Sequence, residues 1–154
     1  MTVIRRATLL DLKHVEIVVH AAYSGYITRI GREPGPMLDD YASLIGRGLV
    51  HVLDDGGVVG AVVLVPEPGT MLLDNVAVDP ASQGKGYGRL LLKFAEQEAR
   101  RQGFGVIRLY TNVLMTENIA LYSRLGYVET HRAEEKGYSR IYMEKHLLER
   151  SRLI

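Results

Sequence analysis

From Gln83 to Arg89 the chain reads Gln-Gly-Lys-Gly-Tyr-Gly-Arg, with glycine at every second position and two cations among them. The segment follows an apolar run, Met71 to Val78, that Asp79-Pro80 stops, and it precedes residues recurring at helical spacing. A turn so placed binds anions. The first turn of a helix has unpaired N–H groups and a partial positive charge, glycines let the backbone come close to a phosphate, and Lys85 and Arg89 add formal charge. A tight strand-to-helix turn that merely needs glycine is the plainer reading of such a segment taken alone. Two familiar phosphate loops do not fit it. A P-loop requires Ser or Thr after Gly-Lys, whereas Gly86 follows Lys85; a dinucleotide fold requires Gly-x-Gly-x-x-Gly and an acid ending the next strand, whereas that strand ends Leu109-Tyr110-Thr111-Asn112.

A second set of polar residues sits where core is expected. Asn118, Leu121, Tyr122 and Leu125 fall at i, i+3, i+4 and i+7, one face of a helix, so an amide and a phenol lie together on an apolar stripe and need partners. Tyr122 either packs with its hydroxyl on a carbonyl or works on a ligand. Asp74 interrupts an apolar strand, sharing a face with Leu72, Val76 and Val78, and a buried carboxylate must be paired, partly wet or functional. Asn75, on the opposite face, could orient a water. His14, His20, His51, His131 and His146 form no ligand pair at helical or strand spacing, so no metal is assigned.

These residues need a frame, and the patterning describes one. Thr2 to Arg6 reads as a strand, Thr8 with Asp11 as a helix start, and Leu12, Val15, Val19 and Ala22 as a helix ending near Gly25. Gly25 to Asp40 resists regular structure, and a short helix is expected from Leu38 to about Gly46. Leu49 to Leu53 and Val58 to Val65 form a hairpin across Asp54-Asp55-Gly56-Gly57. After the glycine segment comes a helix with Tyr87, Leu90, Leu91, Phe94 and Ala95 on one face, ending at Gly103; then a strand from Val106 to Tyr110 and a helix from Thr116 to Leu125. Tyr127 to Glu134 and Tyr138 to Glu144 close the chain as a hairpin. The order implies an α/β or α+β sandwich around one central sheet, a single domain over residues 1–154.

Composition narrows the function classes. The 19 Lys and Arg against 18 Asp and Glu leave a net charge of +1, so no global field draws the chain to nucleic acid or an acidic membrane. Arg140, Lys145, Arg150 and Arg152 are interspersed with Glu144 and Glu149, which reads as a solvated end and not as a nucleic-acid patch. The absence of cysteine removes disulfides and thiolate chemistry. No stretch approaches the roughly 20 apolar residues of a membrane span, and no signal core opens the chain, so a cytoplasmic location is expected.

The pattern Gln-x-x-Gly-x-Gly after Val-Ala-Val-x-Pro resembles the GNAT superfamily of N-acetyltransferases. So does Asn118-Ile119-Ala120-Leu121-Tyr122 followed by Leu125-Gly126-Tyr127, although Ala120 stands only two residues after Asn118. The likeness is close from Met71 to Tyr127. It implies a mixed, mostly antiparallel sheet of six to seven strands with splayed central strands and about four flanking helices. It implies that Gln83, Gly84, Lys85, Gly86, Tyr87, Gly88 and Arg89 grip the pyrophosphate of acetyl-coenzyme A. The backbone of Val76, Ala77 and Val78 would meet the pantetheine arm, Asn118 would hydrogen-bond the coenzyme, and Tyr122 would protonate the leaving thiolate. A primary ammonium, with a reference pKa of about 10.4, must lose a proton before it attacks a thioester; Asp74 or a water chain would accept that proton. The acceptor would meet the loop after the first helix and the last hairpin; Tyr23, Tyr26, Arg29 and Arg32 are candidates, with Asn75 on the strand, and two arginines facing the cleft would favour a carboxylate-bearing acceptor. A coenzyme-binding sensor without turnover is the alternative, and a homodimer is compatible with the resemblance.

Overall fold

The protein is described by a computed structural model covering residues 2–147; Arg150, Arg152 and Glu149, weighed above for nucleic acid, lie outside the described residues. Seven strands form one sheet in the order β1-β2-β3-β4-β5-β7-β6: β1 Val3–Arg6, β2 Val50–Asp54, β3 Val58–Glu67, β4 Thr70–Val78, β5 Val106–Asn112, β6 Val128–Glu135 and β7 Tyr138–His146. Only the pairing of β4 with β5 is parallel among the registers described, and it covers Met71–Leu73. The helices are α1 Leu12–Tyr23, α2 Ile27–Ile30, α3 Tyr41–Gly46, α4 Tyr87–Arg101 and α5 Thr116–Arg124. The chain gathers into two compact units, one of residues 2–64 with Asp74–Ala95, the other of Val65–Leu73 with residues 96–147.

In the first unit, β1 pairs with β2 and β2 with β3, all antiparallel. The entry to α1 is fixed by Asp11, whose carboxylate accepts from the Thr8 backbone N–H at 2.8 Å and from both ends of the Arg5 guanidinium at 2.8 and 3.0 Å. Arg5 chiefly, with the Thr8 N–H, holds the Asp11 carboxyl down to about 2. Val15, Val18, Val19 and Tyr23 recur at helical spacing and are buried. The helix ends at Tyr23, close to Gly25 as expected, and a 3-10 turn, Ser24–Tyr26, and the single turn of α2 follow it, up to Gly31, whose φ of 90° ends α2. The stretch expected to be irregular also holds a 3-10 turn at Gly35–Leu38, and α3 begins only at Tyr41, where the Asp40 carboxylate caps the Ser43 N–H at 3.1 Å.

Helix α4 buries Tyr87, Leu91, Leu92, Ala95 and Ala99, whereas Leu90, expected on that face, is 43% exposed. Both leucines flank Leu91, and the stripe drifts toward Leu92 because 3.6 residues make a turn. In the first unit α4 comes so close to the sheet that a Cβ on Gly60 would stand 3.0 Å from Leu91 Cδ1 and 3.2 Å from the Ala77 carbonyl. In the second unit β5, β7 and β6 pair antiparallel, with Ile107, Leu109, Ile141 and Met143 buried on one face.

Candidate functional site

The first unit builds the glycine-rich turn. Where β4 ends, the Asp79 carboxylate accepts from Ala81 N–H at 3.0 Å, and the Pro80–Ser82 turn leads into Gln83, Gly84, Lys85 and Gly86, all exposed. Gly84 and Gly86 have φ of 87° and 79°, left-handed geometry that a β-carbon disfavours. Helix α4 starts at once, with Leu90 N–H on the Gly86 carbonyl at 3.1 Å, so the N–H groups before Leu90 have no partner within the helix. Lys85 and Arg89 are exposed and have no ion-pair partner among the described residues. A Cβ built at Gly84, Gly86 or Gly88 would meet nothing within 4 Å, which leaves the room a pyrophosphate requires. The Tyr87 side chain is engaged within the protein. Its ring is buried and its hydroxyl donates a short hydrogen bond to Asp55, the leading cause of that phenol's raised pKa, so the start of α4 is tied to the β2–β3 turn.

Beside that turn, β4 carries a buried network. The Tyr23 hydroxyl, at the end of α1, donates to Asn75 Oδ1 at 2.5 Å and lies 2.9 Å from the Val76 carbonyl, sharing one proton between them. Asn75 Nδ2 donates to the Tyr41 hydroxyl at 2.8 Å, and Tyr41 donates to the Pro36 carbonyl at 2.5 Å. Asn75 is 5% exposed and its carboxamide is engaged at both ends within the protein, so anchoring is its first employment. Burial, then Asp39 and Asp74, push the Tyr41 phenol up, and it stays neutral. Asp74, Val76 and Val78 are half-buried, while Ala77 is buried. Of the other acceptor candidates, Tyr26 is half-buried with the exposed Arg29 guanidinium 5.0 Å above its ring, and Arg32 is exposed. Tyr41 escaped the sequence reading, since nothing local marks a tyrosine that meets an asparagine 34 residues away.

The second unit holds the other polar pair. On α5, Tyr122 is 7% exposed and its ring meets the edge of Tyr127 at 5.8 Å. Asn118 is half-buried, and its carboxamide has no partner among the described residues, so it is open to a ligand. Leu121 and Leu125 are half-buried, so the stripe is less enclosed than its spacing suggested. The end of α5 is fixed by Lys145, which donates to the Leu125 carbonyl at 2.8 Å and to Glu96 at 3.1 Å. Lys145 is thus part of the packing and not of a basic patch. No group of histidines and acids among the described residues could hold a metal.

The family model for the acetyltransferase (GNAT) family matches residues 17–127, a span that includes Tyr23, the glycine turn and Tyr122. The chain belongs to the GNAT family. Over 56 residues it is 39% identical to a mycothiol acetyltransferase of Nocardia farcinica, covering 36% of this chain and 18% of that protein. Over 70 residues it is 34% identical to an IAA acetyltransferase of Azospirillum brasilense, covering 46% of each. The GNAT chain thus spans less than half the length of these curated relatives. In fold it is similar to the PaiA N-acetyltransferase of Thermoplasma acidophilum, solved in complex with coenzyme A, with a TM-score of 0.76, 21% identity, and coverage of 95% of this chain and 99% of that one. Among the described residues of this GNAT protein no helix is long and apolar enough to cross a membrane.

Proposed function

We propose that this GNAT-family chain works as a single acetyltransferase domain, moving the acetyl group of acetyl-coenzyme A to a primary amine by direct attack in a ternary complex. The observation that carries the reading is the turn from Gln83 to Arg89, with two left-handed glycines, room at three glycine positions, and two unpaired cations at a helix start. Family membership and the coenzyme A bound by a fold relative support it. The turn's backbone N–H groups, Lys85 and Arg89 would hold the pyrophosphate. The backbone of Val76 to Val78 would take the pantetheine, and Asn118 would offer its open carboxamide. Acetyl-coenzyme A supplies an acetyl group activated as a thioester. Tyr122, protonated at neutral pH, is suited to give a proton to the leaving thiolate, and the amine's proton would leave through Asp74 or water.

Replacing Tyr122 with Phe separates catalysis from binding. With a panel of amines, thiol release should fall about a hundredfold in kcat while coenzyme A affinity stays within about twofold. Coenzyme binding without thiol release from any amine, in the wild type as in the variant, would sink the reading in favour of a sensor.

A further inference from the structure

One face of the second unit's sheet is not explained by the pyrophosphate turn or by Tyr122. Opposite the buried Ile107, Leu109, Ile141 and Met143, the register sets Tyr110 beside Tyr142 and His131, with Arg140 in the next row between Asn112 and Ala133. The Tyr142 and His131 rings stack with centroids 4.3 Å apart and 7° between planes, and Tyr110 lies 5.5 Å from Tyr142. The result is a row of aromatic rings with two cations against it, Arg108 5.9 Å from the Tyr142 ring and Arg140 4.5 Å from the Tyr110 ring.

Of the two, Arg140 has the longer ion pair. The Arg140 side chain is 14% exposed, and its nearest carboxylate oxygen, on Glu135, is 3.9 Å from Nη1, beyond hydrogen-bond range. Glu135 already accepts a short hydrogen bond from the Tyr142 hydroxyl. Arg108, on the same face, has its own carboxylate, Glu67, at 2.9 Å, and Arg132 has Glu129 at 3.1 Å. Arg140 instead lies over Tyr110 at 4.5 Å and near Tyr138 at 5.6 Å. The two ring contacts hold the guanidinium in place beside the Tyr142 hydroxyl, and a guanidinium presents five N–H donors in a planar fork that can meet a carboxylate with two parallel bonds. A charge this buried gains from a hydrogen-bonded counterion.

We propose that Arg140 and the rings of Tyr110, Tyr138 and Tyr142 form a binding site for a carboxylate attached to an apolar or aromatic body. One cation beside one carboxylate matches a monoanion better than a phosphate dianion, and Glu135 and Glu144 on the same face disfavour a polyanion. Under the acetyltransferase reading the ligand is the acceptor, an amine that carries a carboxylate; this last step rests on that reading, whereas the binding site does not.

The two are tested apart. The chain has no tryptophan, so tyrosine fluorescence follows binding directly. Hydrocinnamate should bind the wild type about tenfold more tightly than hydrocinnamamide, and Arg140→Gln should erase that difference while coenzyme A affinity holds. Arg140→Lys, which keeps the charge without the planar fork, should restore only part of it, and it serves if the Gln variant fails to fold. Equal binding of acid and amide to the wild type, or equal loss of both in the variants, would overturn the site. In turnover, KM for phenylalanine should rise about tenfold in Arg140→Gln while KM for phenethylamine and for acetyl-coenzyme A stays put. An acid preference in binding without one in KM would leave the site standing and remove the acceptor from it; no turnover with any amine would count against the acetyltransferase reading alone.

Discussion

In the first unit Tyr23, Tyr41 and Tyr87 are held by their hydroxyls, on Asn75, Pro36 and Asp55; in the second, Tyr110 and Tyr138 offer ring faces to Arg140, and Tyr127 buries a hydroxyl with no hydrogen-bond partner. With nine tyrosines, two phenylalanines and no tryptophan, this chain puts nearly all aromatic work on one residue type, and the two units lean toward opposite ends of it, the exceptions being Tyr26 in the first, whose ring lies under Arg29, and Tyr142 in the second, whose hydroxyl donates to Glu135. The hydroxyl is directional and ties one backbone segment to another. The ring is a broad polarisable surface that positions a cation without fixing any segment. Tethers therefore stand beside β4, where strand geometry must be kept, and faces stand where a ligand's charge would be met.

The largest break in that comparison is Asn75→Ala. It removes the acceptor for Tyr23 and the donor to Tyr41 together, and should cost about 3 kcal/mol, a fall in Tm of roughly 6 to 12 °C by thermal denaturation. Tyr41→Phe, which leaves the Pro36 carbonyl without its donor, should cost about half as much. If both variants melted like the wild type, the hydroxyls would be incidental and the contrast with the second unit would fail.

The ring-face half of the comparison is sharpened at Tyr110. Tyr110→Phe keeps the surface under Arg140 and should retain the preference for hydrocinnamate over hydrocinnamamide, whereas Tyr110→Leu removes the π face and should weaken acid binding by about fivefold, or about 1 kcal/mol. Fluorescence titration reads both. A Phe variant as weak as the Leu variant would move the role from the ring to the hydroxyl.

What the sequence disclosed follows the same division. The glycine turn was legible because its demands are local: left-handed backbone at Gly84 and Gly86, a strand before and a helix after. The hairpin across Asp54-Asp55-Gly56-Gly57 was legible locally, whereas the six to seven strands and their mostly antiparallel pairing were expected from the resemblance, and seven are found. The first helix's end near Gly25 was legible, but the helical turns after it were not, because glycine permits helical φ as readily as left-handed φ, and only the fold decides that Gly31 turns and Gly25 does not. The Tyr23–Asn75 bond joins residues 52 apart, and Arg140 meets Tyr110 from a different strand. Such partnerships are set by register and packing, which no window of neighbouring residues contains.

Tyr127 offers the smallest effect and the sharpest sign. Its hydroxyl is buried with no hydrogen-bond partner, burial chiefly and then Glu96 push the phenol's pKa up, and its ring packs against Tyr122. Phenylalanine keeps the ring and removes the unsatisfied group, so Tyr127→Phe should be neutral or slightly stabilising at pH 7. Above pH 10 the difference should grow. The folded phenol stays protonated while the unfolded one ionises near its ordinary pKa of about 10, so unfolding releases a proton, and the stability present below that pH is lost as pH rises. The variant escapes this, and its unfolding free energy should decline less steeply by up to about 1.4 kcal/mol per pH unit. Urea unfolding between pH 7 and 11 measures it. A variant that lost about 1 kcal/mol or more at pH 7 would show that this hydroxyl has a partner and that the second unit, like the first, holds its buried phenols by their oxygens.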